Sequence, residues 1–188
     1  MEITHWLHEV GGKQGLTSNV FLINKEILID LGTKDNANLL LQNLKELNVS
    51  PEDIKKVIFT HIHYDHTGDP SKFPKAEFFA SKEEIEDLAK YGAQATVTPS
   101  AYADIKGIKL NPLTELEGFN VIHTPGHSRG SICLEKDGVL ISGDTLFNNN
   151  IPGRIDLPTA APELMKSSLE KIKGYKILCP GHGTCTTK

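Results

Sequence analysis

The chain has few of the features that mark several large classes of protein. Its three cysteines, Cys133, Cys179 and Cys185, are odd in number and form no Cys-x-x-Cys pair. That argues against a disulfide framework and for free thiols in a reducing cytoplasm. No run of Lys or Arg stands out, and a net charge of −4 with a pI near 6.1 leaves no electrostatic footprint for nucleic acid. No apolar run approaches the length that spans a bilayer, and the start, MEITHWLHEV, lacks the basic segment and apolar core of a signal peptide. The expectation is a cytoplasmic protein that meets a small-molecule substrate, not nucleic acid or membrane. The sequence gives no indication of oligomeric state. Internal repeats, low-complexity tracts and linkers are missing too, so residues 1–188 read as one domain, with 38% apolar content for its core.

Against that ordinary background stands Thr60 to Gly68, THIHYDHTG. At this histidine content, His61-x-His63-x-Asp65-His66 arises by chance in roughly one such chain in a thousand. Three imidazoles and a carboxylate within six residues are costly to bury together unless they share a cation. The apolar run Val57-Ile58-Phe59 leads into the motif, which places it at the end of a buried strand. Ligand types so close in sequence converge poorly on one tetrahedral ion, which favours two adjacent metals. Three more candidates follow apolar strands, each directly after a glycine: His127 in TPGHS, Asp144 in SGDT and His182 in PGHG.

Around these motifs the chain alternates hairpins and helices. Residues 3–10, 19–24 and 26–31 read as strands, with a glycine-bearing loop over 11–18 and a tight turn at Asn24-Lys25. Helical spacing runs over 34–47, and Ser50-Pro51-Glu52-Asp53 opens a short helical turn. After the strands at 56–59 and 76–80, Ser81-Lys82-Glu83-Glu84 starts a helix to about Tyr91. Residues 92–104 show no clear period and read as a surface connection or a lid over a pocket. Short strands at 105–110, 115–117 and 119–123 precede a hairpin, 130–135 with 138–142, across Lys136-Asp137. A helix over 162–173 and a strand over 176–179 complete the pattern. Two mixed sheets with helices outside are expected.

The motifs HIHYDH, TPGHS, GDTLF and PGHG, spread over nearly the whole chain, resemble the metallo-β-lactamase superfamily in type and order. The resemblance implies an α/β, four-layer αββα sandwich with metals at one edge of its sheets. It assigns His61, His63 and His127 to one metal, Asp65, His66 and His182 to a second, and Asp144 as the bridge. Asp30, in ILIDLG, and His123 are expected behind the ligands. The implied cofactors are two divalent ions, Zn²⁺ first, with Fe or Mn compatible with the same donors. By hypothesis a hydroxide between the metals attacks an acyl carbonyl, and Asp65 has the catalytic role of handling the proton.

GDTLF followed by GRIDLP most resembles the glyoxalase II-like branch, hydrolases of thioesters such as S-lactoylglutathione. The helical extension with which that branch grips glutathione has no counterpart soon after PGHG, so the expectation is thioester or other acyl hydrolysis of the hydroxyacylglutathione hydrolase-like kind, with recognition of glutathione itself left open. Mononuclear-iron persulfide dioxygenases share the scaffold and a Gly-Arg-x-Asp segment and form the alternative; lactonase and other hydrolytic activities of the superfamily follow. Arg154 and Asp156 read as a structural ion pair, and Arg129 as a solvated arginine or an anion contact. Loops at 15–19, 92–104 and 147–151 are candidate pocket walls.

Overall fold

Period-two burial decides which face of each strand meets which layer. In the computed structural model, which describes residues 1–12 and 16–188, β1 (Glu2–Thr4), β2 (Leu7–Gly11), β3 (Val20–Ile23) and β4 (Ile27–Ile29) pair antiparallel in succession. β5 (Lys56–Ile58), β6 (Glu77–Ala80) and β7 (Leu110–Pro112) then add in parallel, completing a first sheet in chain order. The second sheet has the order β14 (Thr186–Thr187), β13 (Ile177–Pro180), β10 (Val139–Gly143), β9 (Ile132–Lys136), β8 (Asn120–His123).

Alternate residues split into separate cores. Phe21, Ile23, Ile29 and Ile58 of the first sheet pack with Ile132, Leu134, Val139, Ile141 and Cys179 of the second. Their neighbours Val20, Leu22, Leu28 and Val57 turn the other way, against Leu40 and Leu44 of α1 (Ala37–Glu46), Ile85 and Leu88 of α3 (Lys82–Tyr91) and Ile105 of α4 (Pro99–Ile105). Cys133, Leu140 and Leu178 face Leu169 of α5 (Met165–Lys171), Ile172 and Tyr175. The result is helix, sheet, sheet, helix: the expected αββα sandwich. Each large apolar side chain buried this way contributes roughly 1.5–3 kcal/mol. Truncating the fully buried Ile58 to Ala should cost about 2–5 kcal/mol. No helix among the described residues is long and apolar enough to cross a membrane.

Several local expectations are corrected. Residues 3–10 are two strands, β1 and β2, because the chain turns at His5-Trp6 and pairs Thr4 with Leu7. The turn at Asn24-Lys25 does form, both residues taking positive φ (49° and 62°) as a type I′ turn requires. The later hairpin turns at Asp137-Gly138 (φ 54° and 81°), one residue beyond Lys136-Asp137. Residues 92–104 are largely helical: a 3₁₀ turn, Gly92–Gln94, leads to α4, capped by Thr98 with Pro99 at its first position. A small hairpin, β11 (Leu146–Phe147) with β12 (Ile151–Pro152), was not foreseen.

The free-thiol expectation also fails for one pair. Cys179 and Cys185 are joined in a disulfide, with Cα atoms 4.3 Å apart, while Cys133 is free and buried. The cause is β14, which turns back antiparallel on β13 and pairs Ile177 with Thr187 and Leu178 with Thr186. The next pair in that register is 179 with 185, at a spacing where facing side chains meet.

Candidate metal centre

The seven expected metal-type residues come together at one edge of the sandwich. His61 follows β5, and His63 caps α2 (Tyr64–Thr67), a single turn that carries Asp65 and His66. His127 sits in the loop between β8 and β9, Asp144 directly after β10 and His182 just after β13. β10 and β13 run parallel, so their ends reach the same edge. Backbone bonds bind the loops of the two sheets there: Ile132 N donates to Thr60 O (2.9 Å) and Asn19 N to Gly181 O (2.6 Å). Two of the preceding glycines are required by this crowding. Gly143 has φ 49°, and a Cβ on it would lie 2.6 Å from Thr60 Oγ1. A Cβ on Gly181 would overlap the Asp144 carboxylate.

The side chains fall into two groups, His61 with His63 and His127, and Asp65 with His66, Asp144 and His182. Within each group one ligand-type atom per residue lies within 4.8 Å of all the others. Asp144 lies between them: Oδ1 is 3.2 Å from His66 Nε2, and Oδ2 is 3.6 Å from both His127 Nε2 and His182 Nε2. Asp65 Oδ2 stands 3.1 Å from His182 Nε2.

Partners behind the rings fix how they point. Asp30, itself at φ 58°, accepts from Thr60 N, Thr60 Oγ1 and His66 Nδ1, each at 2.8 Å. His61 Nδ1 is 3.2 Å from the same Thr60 hydroxyl, which donates onward to Asp30. His127 Nδ1 lies 2.8 Å from Arg154 O, and since a carbonyl only accepts, that nitrogen carries the proton. His61, His66 and His127 are thereby turned with Nε2 inward. Buried polar atoms without a hydrogen-bond partner include Nε2 of His61, His63 and His66 and Oδ1 of Asp144. An unsatisfied buried polar group costs roughly 1–3 kcal/mol. Drawn from both groups, and able to offer lone pairs once their protons are displaced, these atoms fit cations held among them.

The electrostatics divide the groups. Burial, followed by mutual repulsion, holds the His61 imidazole well below its ordinary value and takes His63 down to about 3. Burial lowers His127 as well, against the pull of Asp144. Burial also opposes charge on His66, but the carboxylates of Asp144 and Asp30 overcome it and raise the ring well above the ordinary value. Asp144 and Asp65 are both lowered despite burial, Asp144 chiefly by His66 and Asp65 chiefly by its bond to His182.

A cavity of about 420 Å³ opens onto these residues, with Leu16, Tyr64, Val97, Phe147 and Leu157 as its apolar walls. Of the loops expected to form walls, 92–104 contributes Val97 and 147–151 contributes Phe147. The segment 15–19 contributes Leu16, whereas Gly15 lies outside the described residues. Val97 has φ 68°, a conformation that a β-branched side chain rarely takes. Arg154, also on the wall, is bound through Nε and Nη2 to Asp156 (2.7 and 2.8 Å), the ion pair expected. Arg129 is no anion contact: it grips Asp87 through Nε (3.0 Å) and Nη2 (2.8 Å) and also bonds Glu86. His123, expected beside a ligand, bonds the Arg129 carbonyl (3.0 Å) and faces Glu83, neither of them a candidate ligand. Val97 and the buried Glu84 are the residues that sequence reasoning did not single out.

The Metallo-beta-lactamase superfamily profile matches residues 14–182, and the chain belongs to that superfamily. It is similar to a protein of Methanocaldococcus jannaschii named a probable metallo-hydrolase, 37% identical over 193 residues, 90% of this chain and 89% of that one. A hydroxyacylglutathione hydrolase of Xanthomonas axonopodis pv. citri is 35% identical over 129 residues, 67% of this chain but 46% of its own length. Among solved structures, TTHA1623 in a di-iron-bound form superposes with a TM-score of 0.72 at 26% identity, covering 94% of this chain and 93% of that one.

Proposed function

We propose that residues 1–188 act as one domain, a dinuclear metallo-hydrolase of acyl compounds, with thioesters as the first substrate class. The observation that carries the reading is the convergence of unsatisfied, buried donor atoms beneath a cavity. His61, His63 and His127 would hold one ion, Asp65, His66 and His182 the other, and Asp144, with its oxygens turned towards different rings, both. Two divalent ions there supply charge that brings the pKa of a water towards neutrality and steadies a developing oxyanion. Zn²⁺ suits the nitrogen and carboxylate donors; the di-iron relative favours iron as well.

The chain's own residues supply the rest. Asp65 is half-buried on the cavity wall beside His182, where its carboxylate can take up a proton and pass it to the departing group. Tyr64, Val97, Phe147 and Leu157 exclude water and seat an apolar acyl or thiol portion. Arg154, the cation among the described cavity residues, is committed to Asp156, which suits an apolar substrate better than the charged glutathione body.

A panel of thioesters, lactones, β-lactams and phosphodiesters, assayed on metal-quantified protein, tests the proposal. The highest kcat/KM is expected for thioesters with short apolar acyl groups. Activity confined to oxygen uptake on glutathione persulfide, with a single iron bound, would establish the dioxygenase reading instead.

A further inference from the structure

Glu84 is 1% exposed, on the first turn of α3, and its carboxylate bonds residues other than the seven metal-type ones. In a Ser-x-x-Glu helix start, the glutamate commonly turns back to the N–H of the cap. Here only half of that box forms: Ser81 Oγ accepts from Glu84 N (3.2 Å), and the carboxylate goes elsewhere. Its Oε2 accepts from Ile62 N (3.3 Å) and its Oε1 from the Ser128 hydroxyl. Ile62 is the residue between His61 and His63, and Ser128 is the neighbour of His127. One buried carboxylate therefore ties together the two backbone segments that carry all three imidazoles of the first group.

The surroundings fit a rigid buckle. Ser128 is also held through Ser131 Oγ, which lies 2.7 Å from its hydroxyl and accepts from its N–H at 3.2 Å. One turn further along α3, Asp87 grips Arg129. The loop lies so close to the helix that a Cβ on Gly130 would stand 2.5 Å from Glu84 N. A buried carboxylate is costly to keep unless it orders something. What this one orders is the spacing of His61 and His63 relative to His127.

We propose that Glu84 is a positioning residue for the three-histidine group, setting its geometry for a cation through Ile62 and Ser128. The proposal rests on the ligand assignment above and adds a residue to it. The expected signature is selective: loss of Glu84 weakens one ion and spares the other.

The test is titration of metal-stripped protein with Co²⁺, read by visible absorption and by ions bound per chain, with unfolding of the metal-free protein alongside. Wild type is expected to take two ions. Glu84→Ala should bind one of them on the order of 10- to 100-fold more weakly and keep the other within about twofold. The band it loses should match the band lost in His61→Ala and not that lost in Asp65→Ala. Glu84→Gln should restore most of the affinity, since its oxygen can accept from Ile62 N and its amide can donate to Ser128. Ser128→Ala, which cuts one arm and keeps the carboxylate, should cost several-fold, and it decides the matter if Glu84→Ala does not fold. Equal weakening of both ions, or unchanged affinity in Ser128→Ala, overturns the positioning role. A wild type that binds no Co²⁺ overturns the ligand assignment itself, so the two failures are distinguishable.

Discussion

The three-histidine group and the Asp65–His66–Asp144–His182 group share one edge of the sandwich but are built in opposite ways. His61, His63 and His127 are 0–3% exposed, all nitrogen donors, and held neutral by burial. In the second group the side chains of His182 and Asp65 are 32% and 15% exposed, and two carboxylates sit among the imidazoles. The dry group gains from having its rings fixed in advance, since no water can stand in for a misplaced donor. The wetter group lies nearer solvent, where Asp65 can exchange a proton. Asp144 and Asp30 cross the division, Asp144 between the rings, Asp30 from behind through His66 and through Thr60 to His61.

The sharpest way to break this contrast is Asp144→Ala. It should lower affinity for both ions, by more than the roughly 100-fold of a contact outside the ligands, with activity falling in parallel. Full metal content by elemental analysis would contradict the bridging role. Next comes Asp30→Ala, expected to weaken metal binding about 10- to 100-fold, more for the ion on His66 than for the ion on His61, because the second link runs through Thr60. Equal loss at both, measured by Co²⁺ titration, would erase the distinction.

Smaller effects lie at the cavity. Val97→Gly frees a strained left-handed residue, a gain of about 1–3 kcal/mol, less the roughly 0.5–1 kcal/mol that glycine loses in chain entropy. The melting temperature should rise slightly while KM for an apolar acyl substrate increases several-fold and kcat holds. A lower melting temperature would remove the strain argument. The smallest effect is a pH slope. Burial raises the Glu84 carboxyl from its ordinary 4.5 to about 7. With the folded value above the unfolded one, its contribution is fully present below about 4.5 and is lost as pH rises to about 7. Metal-free wild type should therefore lose stability relative to Glu84→Gln across that window in parallel urea titrations, and a constant difference would contradict the shift.

Much of this was legible in the sequence for a local reason. Apolar strands ending in Gly-His or Gly-Asp announce both a buried strand and what it delivers, which marked His127, Asp144 and His182 as partners of the cluster that begins at His61 after Val57-Ile58-Phe59. The αββα layering followed from hairpins alternating with amphipathic helices. What could not be read depends on contacts between distant segments. Cys179 and Cys185 pair because β14 folds back in one particular register. Residues 92–104 are largely helical although no apolar period announces it, through a Thr98 cap and tertiary packing of Ala101 and Ile105. Glu84 reads as a helix-cap glutamate, and only the approach of the loops bearing Ile62 and Ser128 gives it other partners. His123 stands directly before TPGH, yet its ring faces outward.

The central claim is that the two unlike halves each hold an ion. The most direct measurement is metal content per chain of protein purified without added metal, set beside that of Asp144→Ala. The account predicts about two divalent ions in the wild type and loss of both in the variant. A single ion in the wild type that is retained at full occupancy in Asp144→Ala would contradict it.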